Sequence, residues 1–241
     1  MALFSIADLH LSTAADKPMD VFGHRWQNYT EKLEKRWNAV VSDEDTVVVP
    51  GDISWALKPE EAVPDLLFVD RLKGKKIIGK GNHDLWWGTV SKVTKLMDDA
   101  GINSISLLHN NAFAVEDFII AGTRGWYVEE KYQSTVQNAD FEKIKARECG
   151  RLKISLDAAM RLKEEAPRSQ ILVYLHFPPV FNGFIFRELV NVIHEYGVKR
   201  CFYGHIHSSY DIPRTSVFED VTMTLISSDH LDFTPMITAF E

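Results

Sequence analysis

Short apolar, β-branched runs recur along the chain and predict strands over residues 3–6, 46–49, 76–78, 118–121, 171–175, 200–203, 222–226 and 236–240. Helical spacing appears between them. Trp26, Tyr29, Leu33, Trp37 and Val40 recur at three- and four-residue steps and predict a helix over residues 25–41. Leu66, Val69 and Leu72 continue this spacing up to Gly74, a C-terminal stop, and Val90, Val93, Leu96, Met97 and Ala100 form a stripe ended by Gly101. One long helix or two is expected across residues 140–165, and another over 184–196.

Strands alternate with helices in the first half and become denser after residue 170, which argues for a mixed α/β domain. The chain of 241 residues suits one domain, 1–241, with a cap insertion as a candidate in the polar stretch 125–150. No repeat, low-complexity tract or linker interrupts it.

The metal-binding residue types fall at the ends of the predicted strands. The first strand leads into Asp8-Leu9-His10, the second into Gly51-Asp52 and the third into Gly81-Asn82-His83-Asp84. His176 precedes Pro178-Pro179, and the next strand leads into Gly204-His205-Ile206-His207. Alternation along a strand sends residues i and i+2 to one side, so Asp8 with His10, and His205 with His207, are expected to point together. Strands ending at one sheet edge would bring all five segments together. The glycines fit sharp turns where the backbone leaves the strand.

Asp8, His10, Asp52, Asn82, His176, His205 and His207 make a mixed nitrogen and oxygen set. Seven such ligands exceed what one first-row divalent ion needs and suit two, with one carboxylate shared. No thiolate belongs to the set, which argues against a structural zinc site of the cysteine type. Cys149 and Cys201 show no paired spacing and no disulfide framework.

These motifs, from Asp8 to His207, closely resemble the signature of the calcineurin-like metallophosphoesterase superfamily, and within it the bacterial-type predicted phosphohydrolases. The resemblance implies a four-layer αββα fold with two mixed sheets packed face to face. It implies a hydrolase acting on phosphate mono- or diesters through a hydroxide bridging two metal ions. Asp8, His10 and His207 would hold one ion, Asn82, His176 and His205 the other, and Asp52 both. Manganese, iron, zinc or cobalt would suit these ligands.

In the same resemblance His83 faces the substrate and protonates the leaving oxygen. Asp84 is a catalytic neighbour or a cap for the turn. One departure stands out. The protein-phosphatase branch continues the second motif into Asp-Arg-Gly, whose acid orients the catalytic histidine; here Ile53-Ser54-Trp55 follows Asp52, so the orienter of His83 is not identified.

Arg124, in a turn after a strand, is a candidate to fork onto substrate phosphate together with Asn82. Trp86 and Trp87 are assigned to the core, Asn182 and Gly183 to the rim, and His24, His109, His194 and His230 to structural or exposed roles. The expected partner is a phosphorylated small molecule. A formal net charge of -7 argues against broad attraction to nucleic acid or anionic membranes. The start of the chain lacks a basic signal-peptide region and no apolar run reaches a membrane span, so a cytoplasmic location is expected. A non-catalytic metal-binding scaffold and a nuclease are the alternatives. Retention of His83 and all seven ligands favours the enzyme over the scaffold, and the acidic composition counts against the nuclease.

Overall fold

The structure is a computed structural model and describes residues 1–15, 17–127 and 138–238. In β7 (Gln170–Leu175) every residue after the first is buried, yet alternate residues join different cores. Leu172 and Tyr174 share a core with β1 (Leu3–Ser5) and β2 (Thr46–Val49). Ile171, Val173 and Leu175 pack with α4 (Asn138–Glu165) and α5 (Arg187–Glu195). The same split separates Phe118 and Ile120 from Ile119 and Ala121 in β6 (Phe118–Thr123), and Phe202 from Cys201 and Tyr203 in β10 (Arg200–Tyr203). Successive strand residues face opposite sides, so this sheet is covered on both faces.

The first sheet runs β13–β1–β2–β3–β4, with β3 (Lys75–Ile78), β4 (Ile105–Leu107) and β13 (Met236–Thr238). Its pairs are parallel except β13 with β1. The second runs β11–β12–β10–β7–β6–β5, with β5 (Ala112–Val115), β11 (Thr215–Phe218) and β12 (Val221–Leu225), and is antiparallel only at its two edge pairs. Helices α1 (Tyr29–Val40), α2 (Pro59–Arg71) and α3 (Val90–Asp99) add Leu33, Trp37, Leu66, Val69, Val93 and Met97 to the core of the first sheet. Helices, sheet, sheet and helices form the expected four layers.

Several boundaries differ from the sequence expectation for local reasons. The helix expected from residue 25 begins at Tyr29, because Asn28 is left-handed at φ 51°. The preceding residues His24–Trp26 form a short 3-10 turn that buries Trp26. The helix expected from residue 184 begins at Arg187, because β9 (Phe184–Ile185) pairs with β8 (Val180–Phe181). Asn182 and Gly183, with φ of 47° and 79°, are the two-residue turn of that hairpin. Strands β4, β5 and β11 escaped detection because they are short edge strands of three or four residues. The stretch across 140–165 is one helix, starting at Asn138; the rest of the expected cap, 128–137, lies outside the described residues. Among the described residues no helix is long and apolar enough to cross a membrane.

Tyr174 joins the two sheets. Its ring stacks on Phe202 at 4.8 Å between centroids, and its hydroxyl is 2.8 Å from Ser5 Oγ in the other sheet. Ser5 Oγ is also 3.0 Å from Thr238 Oγ1. Removing only the hydroxyl, Tyr174→Phe, is expected to cost about 0.5–1.5 kcal/mol. Emptying the site, Tyr174→Ala, should cost about 3–5 kcal/mol. Urea unfolding of the two variants checks this; equal losses would mean that the hydroxyl and not the ring holds the layers together.

Candidate metal centre

The chain leaving β1 is hydrogen-bonded to both sheets. Ala7 donates its N–H to Ile226 O at 2.7 Å and accepts from Ser228 N–H at 2.9 Å, on the side of β12. Asp8 N–H reaches Gly51 O at 3.1 Å and His10 N–H reaches Asp52 O at 2.9 Å, on the side of β2. Segments from both sheets therefore meet around residues 7–11. Strand alternation is not what brings the ligands together, however. β1 ends at Ser5, and Asp8, His10, Asp52 and His205 are all left-handed, with φ of 61°, 47°, 52° and 69°. This conformation is uncommon for residues with a Cβ and concentrates at functional sites.

The glycines serve close approach more than turning. A Cβ on Gly81 would stand 2.0 Å from Asp52 Oδ1, and one on Gly204 2.5 Å from Asp8 Oδ2. Neither residue has a positive φ, so the sharp-turn expectation gives way to a steric one at these two positions.

Six of the predicted residues fall into two groups. Asp8, His10 and His207 form one, and Asp52, His176 and His205 the other; within each group one ligand atom per residue lies within 4.8 Å of the others. Among the described residues no further group of this kind occurs. The pair His205 and His207 is thus split between the groups. Asn82 joins the second, with Oδ1 at 2.7 Å from His176 Nε2. Asp52 lies between them, its Oδ2 at 3.7 Å from His10 Nε2 and 3.4 Å from His176 Nε2.

The donor chemistry fits cations. Nε2 of His10 and Nε2 of His207 are 3.1 Å apart, and two ring lone pairs at that distance require a proton or a cation between them. Asp8 Oδ1 is buried without a hydrogen-bond partner among the described residues. Burial holds His10 and His176 well below the usual imidazole range and brings His205 to about 3, so these rings are neutral donors. Burial raises Asp8 to about 6 and Asp52 well above the carboxylate range, the latter aided by the charges of Asp84 and Asp8. A divalent cation reverses that effect.

Three supporting residues were not legible as such in the sequence. Asp229 Oδ1 is 2.9 Å from His207 Nδ1, and Asp229 Oδ2 accepts from Ser208 N–H at 3.1 Å and from the Tyr210 hydroxyl at 3.0 Å. With the Nδ1 proton given to Asp229, His207 Nε2 faces its group as an acceptor. Burial would lower His207, but the Asp229 hydrogen bond and the Asp8 charge outweigh it and raise it. Trp55 stacks on His10 at 5.0 Å and packs against His83 at 4.0 Å between ring centroids. Trp26 meets His10 and His207 edge-on at 5.8 and 5.6 Å. An acid in the turn a few residues after a strand, as at Asp229, is the one signal that could have been read.

His83 stands beside the second group, 37% exposed, with Nε2 at 4.0 Å from Asp52 Oδ2 and its N–H donated to Asp52 Oδ1 at 2.8 Å. Its ring is steadied by Trp55 in place of the missing acid. Asp84, expected beside it as a catalytic group or a cap, makes the contacts of a cap. Its buried carboxylate accepts the N–H groups of Asp52, Ile53, Ser54 and Gly81 at 2.8–3.1 Å and the Trp86 indole N–H at 3.1 Å. Burial raises its carboxyl while these donors favour the ionised form. Asp84 ties the loop after β2 to the loop after β3 and has no free oxygen to offer a substrate.

Arg124 is half-buried, and its carbonyl accepts His176 N–H at 3.1 Å and Phe177 N–H at 2.9 Å, so it flanks the second group. Trp86 and Trp87 are buried, as assigned. His24 is exposed, His194 pairs with Glu219 and Asp220, and His230 packs on Tyr210 at 5.2 Å.

Residues 1–209 match the family model for calcineurin-like phosphoesterases. Among solved structures, TT1561 of Thermus thermophilus is similar, with a TM-score of 0.57 and 8% identity over 98% of this chain and 97% of that one. A protein of unknown function, AQ665 from Aquifex aeolicus, matches with a TM-score of 0.46 and 13% identity over 98% and 95% of the two chains. At 8% identity the likeness to TT1561 bears on the fold alone. No curated protein matches the chain. Because the family match runs from the first residue past the last of the histidine motifs, this protein belongs to the calcineurin-like phosphoesterases.

Proposed function

We propose that the chain hydrolyses phosphate mono- or diesters using two divalent cations. Asp8, His10 and His207 hold one, Asn82, His176 and His205 hold the second, and Asp52 serves both. The observation that carries this reading is the position of Asp52 Oδ2, 3.7 Å from a nitrogen of one group and 3.4 Å from a nitrogen of the other. When bound, such ions lower the pKa of a water and neutralise charge on the phosphate oxygens. Manganese, iron, zinc or cobalt suits neutral imidazole with carboxylate.

The remaining work belongs to the chain's own side chains. His83 serves the leaving oxygen from Nε2. Burial and the charges of His207 and Lys17 lower it to about 4, so it is neutral before substrate arrives. An incoming phosphate is an opposite charge, raises the imidazole pKa and favours a proton on the ring. Trp55 limits where that proton can be delivered. Arg124 lies close enough for the Asp52 charge to act on it, and its fork of N–H donors suits a phosphate oxygen pair. Asp84 and Asp229 are positioning residues. The first fixes the two loops that carry Asp52 and Asn82, and the second fixes the tautomer of His207.

The reading is tested by metal content and by hydrolysis of phosphate mono- and diesters with added manganese, iron, zinc or cobalt. About two ions per chain and metal-dependent turnover are expected. No ion and no turnover with any of the metals would leave only the scaffold alternative.

Three variants separate the roles. Asp52→Asn should drop bound metal to one ion or fewer, because the shared charge is gone, with turnover lost. His83→Ala should keep the metal and lower kcat by about 10²–10⁴. That loss should be larger for an alkyl phosphate than for p-nitrophenyl phosphate, whose leaving group needs no proton. Loss of metal in His83→Ala would contradict its assignment. Asp229→Asn should weaken metal affinity about 10–100-fold, measured by chelator competition, with the melting temperature of the metal-free protein little changed.

A further inference from the structure

A polar cavity lies beside the loops that carry the candidate ligands, and none of those ligands lines it. It measures about 260 Å³ and is lined by Lys80, Arg124, Arg147 and Arg151, with His109, Asn110 and Thr123 adding neutral polar atoms. Lys80 and Arg124 connect it to the metal centre. Lys80 stands two residues before Asn82, and the carbonyl of Arg124 holds the N–H of His176 at 3.1 Å. Arg147 and Arg151 come from α4.

Two of these cations, Arg147 and Arg151, pair with one buried carboxylate. Glu148 accepts from Arg151 Nη1 at 2.8 Å, from Arg147 Nε at 3.4 Å and from Thr123 Oγ1 at 3.0 Å. These contacts use one N–H of each arginine, whereas a guanidinium has five. Glu148 therefore aims the two side chains without using up their donors. Lys80 gives one donor to Trp87 O at 2.6 Å, and Nε of Arg124 is buried without a partner among the described residues. The cations also repel one another. Such crowding in a chain of net charge -7 is relieved by an anion.

We propose that this cavity binds a second phosphate group of the substrate, so that the preferred substrates are small molecules carrying two phosphates. This rests on the phosphoesterase reading and deepens it. One phosphate sits at the metal centre and is hydrolysed, while the other is held uncleaved by Lys80, Arg147 and Arg151. The volume is below the roughly 300–1,000 Å³ of pockets that enclose a whole drug-sized ligand, which suits one charged group and its linker. A nucleic-acid backbone is a poorer fit, because it needs an extended basic surface and not a single recess.

The test compares a sugar bisphosphate with the matching sugar monophosphate. The wild-type protein should favour the bisphosphate in kcat/KM by about tenfold or more, the effect of charge-assisted contacts to the second group. Arg147→Ala should reduce that ratio through KM and not kcat, and Arg147→Ala with Lys80→Met should abolish it. Both leave Arg151 on Glu148, so the buried carboxylate stays paired. A second measurement is independent of turnover. Inorganic pyrophosphate should bind the chelator-treated protein with one salt-sensitive site by calorimetry, and the double variant should lose it. An unchanged ratio in the double variant, or pyrophosphate binding that survives in it, overturns the proposal. A wild-type preference for oligonucleotides over the bisphosphate would overturn it in favour of nucleic acid. If no ester is hydrolysed at all, the phosphoesterase reading fails, and the calorimetry still decides whether the cavity is an anion site.

Discussion

The backbone of residues 7–11 belongs to two sheets at once, and the position of every candidate ligand follows from that. Ala7 pairs beside Ser227 and Leu11 beside Ser54, each as a parallel bridge. Between those bridges the chain crosses from one sheet edge to the other within four residues. It does so by turning left-handed at Asp8 and again at His10. Each such residue costs about 1–3 kcal/mol and persists only where its surroundings hold it. The holding is visible: both flanking peptides are hydrogen-bonded, Tyr29 donates to His10 O at 2.7 Å, and Ser228 donates to Asp8 O at 2.6 Å. The crossing leaves two side chains, a carboxylate and an imidazole, pointed into the space where the second sheet delivers His176, His205 and His207.

Four buried aspartates surround this crossing, and their donors separate them into two kinds. Asp84 accepts five N–H groups, and Asp229 accepts from His207, Ser208 and Tyr210. Both are satisfied by the protein itself, as a buried charge must be. Asp8 keeps one oxygen without a partner, and Asp52 keeps Oδ2 among imidazole nitrogens at 3.4–4.0 Å. The carboxylates that the fold satisfies hold other groups in place. Those it leaves short lie in the two ligand groups. Burial raises Asp8 and Asp52, and Asp84 as well in spite of its donors, while the hydrogen bond and charge of His207 lower Asp229 against burial.

The sequence was most legible where chemistry is local. Asp-x-His, Gly-Asp, Gly-Asn-His-Asp and Gly-His-x-His each carry their ligands within a few residues of a strand end, and these ligands converge. Strand alternation does not account for the convergence at Asp8 and His10, because β1 ends at Ser5. Residue type and position survived this, since the loops are fixed by contacts no local pattern encodes. Asp229, Trp55 and Trp26 escaped for the same reason. Asp229 lies 22 residues from its histidine and beyond the 1–209 span of the family match. Trp55 looked like the loss of an acid, when it supplies the contact that steadies His83 by packing. Asp84, left by the sequence as a catalytic neighbour or a cap, has its oxygens taken up by the backbone and indole N–H groups of a cap.

Net charge was the least informative of the global signals. A surplus of acids over the whole chain predicts weak attraction to polyanions, and it says little about a bound phosphate. Screening reduces charge interactions beyond about 8 Å at physiological ionic strength, so an anion inside the molecule responds to its immediate neighbours. Around the cavity those neighbours are cationic, Lys80, Arg124, Arg147 and Arg151, and Glu148 pairs with the two arginines of α4. On the other side they are neutral imidazoles and two under-satisfied carboxylates that a divalent cation would render attractive to phosphate. Loops after β2 and β3 separate these environments by only the residues from Lys80 to Trp87, and Asp84 fixes that interval. An acidic protein can in this way present two adjacent places for negative charge, one made by metal and one by arginine and lysine.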